Sequence, residues 1–246
     1  MTKAENPRRA PILDGRLSTA MALAGRVDFF ADIGADHGRL SAAMLLNGHA
    51  RHALVADISP CSLEKARGLI ARLGLNDRVT FAVADGLDAL GGSAVDLAFI
   101  LGMGGDTLSG ILRRGQPRLR GAALVLGAHT ALPLVRQTLC QIGYRIRQEA
   151  VVHDSGRDYV LMRCPPAQKD EPAYTEAECL LGPVLMRECP PGWLAVLKRR
   201  KRLLTQEIEA MRAARLQKDA ERLAHSVREL SYVEACLRRY EQPSNE

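Results

Sequence analysis

The 246 residues contain no C-x-x-C pair, and the six cysteines (Cys61, Cys140, Cys164, Cys179, Cys189, Cys236) are scattered singly. Neither zinc spacing nor a disulfide framework is present, so free thiols in a reducing compartment and no metal site are expected. No apolar run approaches the ~18 residues of a membrane span. The opening M-T-K-A-E-N-P-R-R lacks the apolar core of a signal peptide. These absences lead to the expectation of a soluble, cytoplasmic protein with no membrane partner. Charge is not extreme either. The 34 basic and 28 acidic residues leave +6, which permits an anionic partner without requiring one. An apolar content of 47% suffices for a full core, and the length allows one or two domains.

One stretch organises the chain: residues 28–40 read D-F-F-A-D-I-G-A-D-H-G-R-L. Val27 to Ile33 is short, branched and aromatic, as a buried strand is. Gly34 breaks it, Gly38 follows, and Arg39 to Asn47 has helical spacing with Gly48 as its stop. Such a unit places backbone N–H groups and a helix N-terminus at the carboxyl edge of a parallel sheet, where open α/β sheets bind nucleotides.

The unit recurs along the chain. Ahead of it, Leu13 to Leu23 reads as a helix covering the sheet, and its Arg16 taken alone reads as a solvated arginine. His52 to Ile58 is a second strand, ending at Asp57, 23 residues past Gly34. An acid at that distance holds a ribose diol in nucleotide folds; its other reading is the N-cap of a helix near Ser59-Pro60. Ser62 to Leu73 is helical, and Val79 to Val83 is a third strand entering Ala84-Asp85-Gly86-Leu87. Asp85 there either accepts from an adenine amino group or sits on a helix N-terminus. Val95 to Leu101 is a fourth strand, followed by Gly102-Met103-Gly104-Gly105 and a helix from Asp106 to Leu112. Three glycines in that position suggest close approach of a flat group to the backbone. Ala122 to Leu126 is a fifth strand, ending in Gly127-Ala128-His129, and Leu134 to Ile142 is its helix. Tyr144 to His153 and Asp158 to Cys164 form a hairpin through Asp154-Ser155-Gly156-Arg157. Five strand–helix units and a hairpin fit a seven-stranded, Rossmann-like α/β methyltransferase sheet better than a six-stranded dehydrogenase sheet.

The first turn, Gly34-Ala35-Asp36-His37-Gly38, is not G-x-G-x-x-G. Asp36 stands where the second glycine would admit a pyrophosphate, and its charge repels one. S-adenosylmethionine carries a sulfonium and an ammonium and no phosphate, so an acidic turn suits it. Asp32, Asp36, Asp57 and Asp85, with His37 as the base in the loops, describe a site for a cationic adenosine ligand.

Beyond Cys164 the pattern changes. Pro165 to Pro172 is linker-like, and Leu180 to Pro183 and Pro190 to Trp193 mark turns. Leu197, Leu204 and Met211 then recur every seven residues with Ile208 between, and so do Leu216, Leu223, Leu230 and Leu237 with Ala220 and Val227 between. The two series are out of phase, which predicts an antiparallel helical hairpin. From Lys198 onward there are 12 basic and 8 acidic residues. The run Lys198, Arg199, Arg200, Lys201, Arg202 reads either as a solvated face or, because Lys201 falls on the apolar stripe, as a phosphate-binding RNA contact.

A-D-I-G-A-D-H-G-R-L, G-L-N-D-R-V, D-G-L and I-L-G-M-G-G stand in an order and spacing that resembles the bacterial tRNA (adenine-22-N1)-methyltransferase family, TrmK. The resemblance extends to Arg16-Leu17, to Tyr159 in G-R-D-Y, to Leu181-Gly182-Pro183 and to the helical tail. It implies a class I methyltransferase domain over 1–165 and a helical coiled-coil domain over 166–246 that contacts tRNA. It further implies cofactor contacts from Arg16, Asp32, Gly34, Asp36, Gly38, Asp57, Ile58, Asp85, Gly86, Gly102, Met103 and Gly104. Around the reacting base it places Asp36, His37, Met103 and His129; His37 equally fits a loop residue satisfied by a backbone carbonyl. Adenine N1 has an in-plane lone pair, so the reaction is chiefly alignment of N1, methyl and sulfur, on a base turned out of its stack. Two departures stand out. The family ends its second strand in glutamate where this chain has Asp57. After the fifth strand it carries Q-P-N where this chain has Gly127-Ala128-His129, with two amide side chains fewer. A small-molecule methyltransferase and a non-catalytic or altered-specificity RNA-binding paralogue are the alternatives.

Overall fold

The computed structural model describes residues 9–213 and 220–241. It divides into two compact units, Met1–Glu171 and Pro172–Glu246. The first is built on a seven-stranded sheet of order β3-β2-β1-β4-β5-β7-β6. Its strands are β1 (Phe29–Ile33), β2 (His52–Asp57), β3 (Val79–Val83), β4 (Leu97–Met103), β5 (Ala123–Ala128), β6 (Gln148–Asp154) and β7 (Arg157–Cys164). The first five are parallel; β7 pairs antiparallel with both β5 and β6. Helices α1 (Gly15–Ala24), α2 (Arg39–Leu46), α3 (Pro60–Arg72), α4 (Gly105–Leu119) and α5 (Leu132–Gln141) cover it.

The central strands are buried along almost their whole length: Phe30, Ala31, Val55, Leu97, Ala98, Phe99 and Leu124 to Leu126 are each almost fully sequestered from solvent. Continuous apolar runs of this kind are what a parallel sheet covered on both faces requires. Phe30 and Phe99 meet edge to face on adjacent strands, 5.6 Å between centroids. Successive strands step outward from β1 through β2 to β3, and the chain then returns to place β4 on the other flank of β1. That reversal opens a crevice beyond the carboxyl ends of β1 and β4.

Boundaries shift where packing overrides local pattern. The fourth strand continues to Met103 instead of stopping at Leu101, with a register shift against β5 between Leu101 and Met103 and Gly102 at φ 78°. A bulge needs the left-handed conformation glycine adopts freely. The sixth strand starts at Gln148, not Tyr144. Tyr144 makes a single bridge to Pro166, and its hydroxyl donates to the Ala122 carbonyl.

In the second unit, α6 (Glu176–Leu181) and α7 (Pro183–Glu188) flank the turn expected at Leu180 to Pro183. Thr175 and Glu178 form a reciprocal capping box at the start of α6, a T-x-x-E signal present in the sequence. Gly182, at φ 101°, separates the two helices. Helices α8 (Trp193–Ala213) and α9 (Ala220–Glu241) follow; Leu216 and the link between them lie outside the described residues. They run antiparallel, as the order of their ion pairs shows: Lys198–Glu241, Lys201–Glu234 and Glu207–Arg222. Leu197, Leu204 and Ile208 of α8 are buried, as are Ser226, Val233 and Leu237 of α9. Ala220 and Val227, expected on the inner stripe, are exposed. The inward positions between Leu223, Leu230 and Leu237 are Ser226 and Val233, because the alternation is three then four. No helix among the described residues is long and apolar enough to cross a membrane.

Arg136 on α5 and Glu149 on β6 form an ion pair at 3.0 Å with side chains 1% and 0% exposed. Removing one partner takes this counter-charge from the other in the interior. Arg136→Met is expected to cost about 3–5 kcal/mol, and adding Glu149→Leu is expected to recover most of the loss. Urea unfolding of both variants checks this; equal destabilisation of single and double variants would refute it.

Candidate active site

The crevice between the ends of β1 and β4 encloses about 370 Å³ and is lined by Asp14, Arg16, Leu17, Asp32, Gly34, Ala35, Asp36, His37, Arg39, Leu40, Leu101, Gly102 and His129. Seven residues singled out from the sequence therefore converge: Arg16, Asp32, Gly34, Asp36, His37, Gly102 and His129.

The turn after β1 is closed by its own backbone. Gly34 N–H (2.8 Å) and Ala35 N–H (3.0 Å) both donate to the Ala56 carbonyl of β2, and Gly38 N–H donates to Ala35. Asp36 N–H donates to Asp57 Oδ2 at 3.2 Å. The expectation that this turn offers its N–H groups to a ligand is thus corrected: these four are spent inside the protein, and the turn presents carboxylates. Gly34 and Gly38 both have positive φ, 74° and 66°. A Cβ on Gly38 would also stand 3.0 Å from that of Ala66 on α3. Asp36 is itself left-handed, φ 46°, a conformation aspartate tolerates better than most residues. Its Oδ2 lies 2.5 Å from His37 Nδ1.

Asp32 is buried beneath the crevice and accepts from Ser41 Oγ at 2.5 Å. Burial pushes its pKa from 3.8 up to about 6; the Ser41 hydrogen bond opposes this and the Asp57 charge adds to it. Asp57 accepts from Ser59 N–H at 2.8 Å as well as from Asp36. It therefore serves the local chain, and each oxygen, having accepted one of these bonds, can still accept another.

Cations balance these acids more than the sequence suggested, since Arg16 and Arg39 line the crevice with His37. Arg39 is anchored by donating to the Ile12 carbonyl. Arg16 lies 5.8 Å from the centroid of the Tyr159 ring, and Tyr159 meets His129 edge to face at 5.6 Å. Partial burial, then the Arg16 and Arg157 cations, hold the His129 imidazole below its ordinary pKa, so it is neutral near pH 7.

The glycines at the end of β4 and after it have separate causes. Gly102 lets the chain bulge beside Arg16, whose Nη1 would stand 3.0 Å from an added Cβ. Gly104 N-caps α4 with ordinary φ. Gly105 is buried, and a Cβ there would meet the Thr130 carbonyl at 2.4 Å, so its smallness serves packing of the β5–α5 loop, not a ligand. Met103 lies beside Gly34, its Cε 3.2 Å from where a Cβ would be. Gly127 is likewise explained by packing, since a Cβ would stand 2.6 Å from Leu161 Cδ2.

Gly38, Asp57, Ile58, Asp85, Gly86, Met103 and Gly104 lie outside the crevice lining. Asp85 pairs with Arg114 at 3.0 Å, a partner the sequence did not reveal. Gly86 packs against Ile111. Ile58 and Val83, at the ends of the paired strands β2 and β3, are exposed by 68% and 56%; exposed apolar side chains at neighbouring strand ends suit a flat ring. Asp14, Arg39, Val83 and Tyr159 escaped the sequence reading of the site. Asp14 had a signal, because it N-caps α1. Arg39 opens α2 directly after the first turn, whereas Val83 and Tyr159 are brought into place by strand pairing. Of the basic run in the second unit, Lys198 pairs with Glu241, Arg200 with Glu229 and Lys201 with Glu234, so Lys201 has an internal use for its position on the stripe. Among the described residues no cluster of three His, Cys, Asp or Glu side chains could hold a metal.

The family model for tRNA (adenine(22)-N(1))-methyltransferase matches residues 30–232. The tRNA (adenine(22)-N(1))-methyltransferase of Bacillus subtilis (strain 168) is 28% identical over 181 residues, 72% of this chain and 76% of its own length. The crystal structure of the B. subtilis M1A22 tRNA methyltransferase TrmK superposes with a TM-score of 0.84 at 23% identity, covering 92% of this chain and 99% of that one. A structure of M. capricolum TrmK in complex with S-adenosyl-homocysteine gives 0.79 at 18% identity, covering 93% and 99%.

Because Asp32 stays protonated in the fold up to about pH 6 but ionises near 3.8 when unfolded, stability falls as pH rises between those values. The loss is on the order of 2–3 kcal/mol. Asp32→Asn is expected to remove this component while retaining the Ser41 hydrogen bond. Urea midpoints of the ligand-free protein from pH 4.5 to 7.5 check it; parallel curves for both proteins would rule it out.

Proposed function

The chain belongs to the tRNA (adenine(22)-N(1))-methyltransferase family, and from that premise we propose that the β1/β4 crevice transfers a methyl group from S-adenosylmethionine to N1 of adenine 22 in tRNA. The observation that carries this is the donor set of the crevice. Carboxylates from Asp32 and Asp36 stand with a guanidinium from Arg16, while the N–H groups of Gly34, Ala35, Asp36 and Gly38 are already bonded. A zwitterionic amino-acid group fits such a set; a dinucleotide phosphate, which needs those N–H groups, does not.

When bound, S-adenosylmethionine supplies a methyl group on a positively charged sulfur. Asp32 and Asp36 would oppose its ammonium, and Arg16 would pair with its carboxylate. Asp57 would accept from the ribose hydroxyls, and Ile58 would take the adenine ring with Asp85 toward its amino group. Gly34, Gly38 and Gly86 hold the backbone of these loops; Gly102, Met103 and Gly104 border the reacting base. Adenine N1 would take the methyl group through its in-plane lone pair while the electron pair of the broken S–CH3 bond stays on sulfur, so no base is needed to create the nucleophile. The protein's part is alignment. Neutral His129, braced by Tyr159, accepts from the exocyclic amine of the target adenine, and Asp36 with His37 faces the positive charge that develops on the methylated ring.

Residues 1–165 carry out the transfer, and residues 166–246 contact tRNA through Lys198, Arg199, Arg200, Lys201 and Arg202. The protein acts in the cytoplasm, where tRNA resides. A second reading, altered base specificity, is favoured by Gly127-Ala128-His129, because Leu161 occupies the space a side chain at 127 would need.

Incubation with labelled S-adenosylmethionine and undermodified tRNA, followed by nucleoside mapping, is expected to give 1-methyladenosine at position 22. Label at another base supports the second reading, and absence of label overturns both. Arg16→Ala is expected to weaken cofactor binding roughly ten- to hundredfold, the worth of a charge-assisted hydrogen bond of about 1.5–3 kcal/mol. Titration calorimetry reads this directly; unchanged affinity would remove Arg16 from the cofactor site.

A further inference from the structure

Beside the crevice, and sharing His37 and Arg39 with it, lies an open groove of about 670 Å³. One wall is the outer face of α3, where Cys61, Lys65, Leu69 and Arg72 recur at helical spacing. The opposite side is the start of α2 and the segment at Pro11. Two glycines shape it. Gly38 lets α2 begin in contact with Ala66 of α3. Gly68 leaves the floor open, since a Cβ there would meet only Arg72 Nη1, at 3.5 Å.

The two depressions differ in sign. The crevice has three carboxylates, Asp14, Asp32 and Asp36, against Arg16 and Arg39. The groove has Arg39, Lys65 and Arg72 against a single carboxylate, Glu64. A cationic ligand suits the first; a phosphodiester suits the second. An adenine that enters the crevice remains attached to its strand, so the neighbouring phosphate must come to rest within one nucleotide of the crevice rim. His37 and Arg39 form part of that rim. The groove's volume is in the range that accommodates a nucleotide-sized group.

We propose that this groove binds the nucleotide adjacent to the methylated adenine in the tRNA strand, with its phosphate on Lys65 and Arg72 and its base over Leu69. The proposal rests on the tRNA methyl-transfer reading above. It adds a positioning subsite: the flanking phosphate fixes where the turned-out base sits, and sequence-independent phosphate contacts are how such register is set.

Equilibrium tRNA binding across about 50–200 mM salt tests it, with wild-type protein compared with the Lys65→Ala/Arg72→Ala double variant. The slope of log affinity against log salt is expected to become shallower by roughly 0.7–0.9 for each cation removed, with S-adenosylmethionine affinity by calorimetry unchanged. An unchanged slope overturns the proposal, and so does an equal loss of cofactor affinity, which would assign the groove to the cofactor. A benzophenone amino acid at position 68 of the full chain is expected to crosslink to nucleotides flanking adenine 22; crosslinks confined to other parts of the tRNA overturn it. Binding and crosslinking are read without methyl transfer, so failure here is distinguishable from failure of the reaction assignment, which nucleoside mapping on the wild type decides.

Discussion

The N–H groups of Gly34 and Ala35 converge on one acceptor, the Ala56 carbonyl, and the next N–H, that of Asp36, is taken by Asp57. A turn at the end of the first strand of an α/β sheet ordinarily has these donors to spare for a phosphate. Here they stitch β1 to β2, which leaves side chains to face the ligand, and those side chains are acidic. The same bonds fix Asp36 in a left-handed conformation and hold Asp57 at the strand end. Ligand class, loop shape and placement of two site carboxylates thus follow from one small set of hydrogen bonds.

Charge in this protein is arranged by neighbourhood more than by total. The net +6 conceals an acidic crevice, a basic groove on its rim and a fully buried Arg136–Glu149 pair. In the helical unit, acids on α9 answer basic residues on α8. Such exposed pairs contribute little stability individually, but they specify the antiparallel alignment of the two helices. Arg145 and Arg147 both reach Glu171, which ties the last residue of the first unit back to the start of the sheet's hairpin.

Much of the site was legible because its residues sit next to structural punctuation. Asp32, Gly34 and Asp36 surround a strand end, Asp57 closes the next strand just outside the crevice lining, and Gly102 is the last residue but one of the fourth. A strand that stops at a glycine exposes its terminal side chains at the carboxyl edge, so sequence position and site position coincide. The glycines were harder to interpret. Gly102 admits a bulge beside Arg16, whereas Gly105 and Gly127 are small because the Thr130 carbonyl and Leu161 crowd them. Spacing cannot separate close approach of a ligand from close approach of the chain itself. Tyr159 lacked any local mark, whereas Arg39 opens α2 directly after the first turn; on α9 Val227 faces outward because a three-residue step replaces a four-residue one.

Local sequence by itself determined the alternation of strands and helices, the acidic character of the first turn and the terminal helical pair. These depend on periodicity, glycine and charge, all of which act over a few residues. The tertiary structure alone decided that β4 returns to flank β1, that Arg16 faces Tyr159 and His129, that Arg114 neutralises Asp85, and that a basic groove shares an edge with an acidic crevice. Each of those is a contact between residues distant in the chain, and only packing of the sheet and its covering helices brings them within reach.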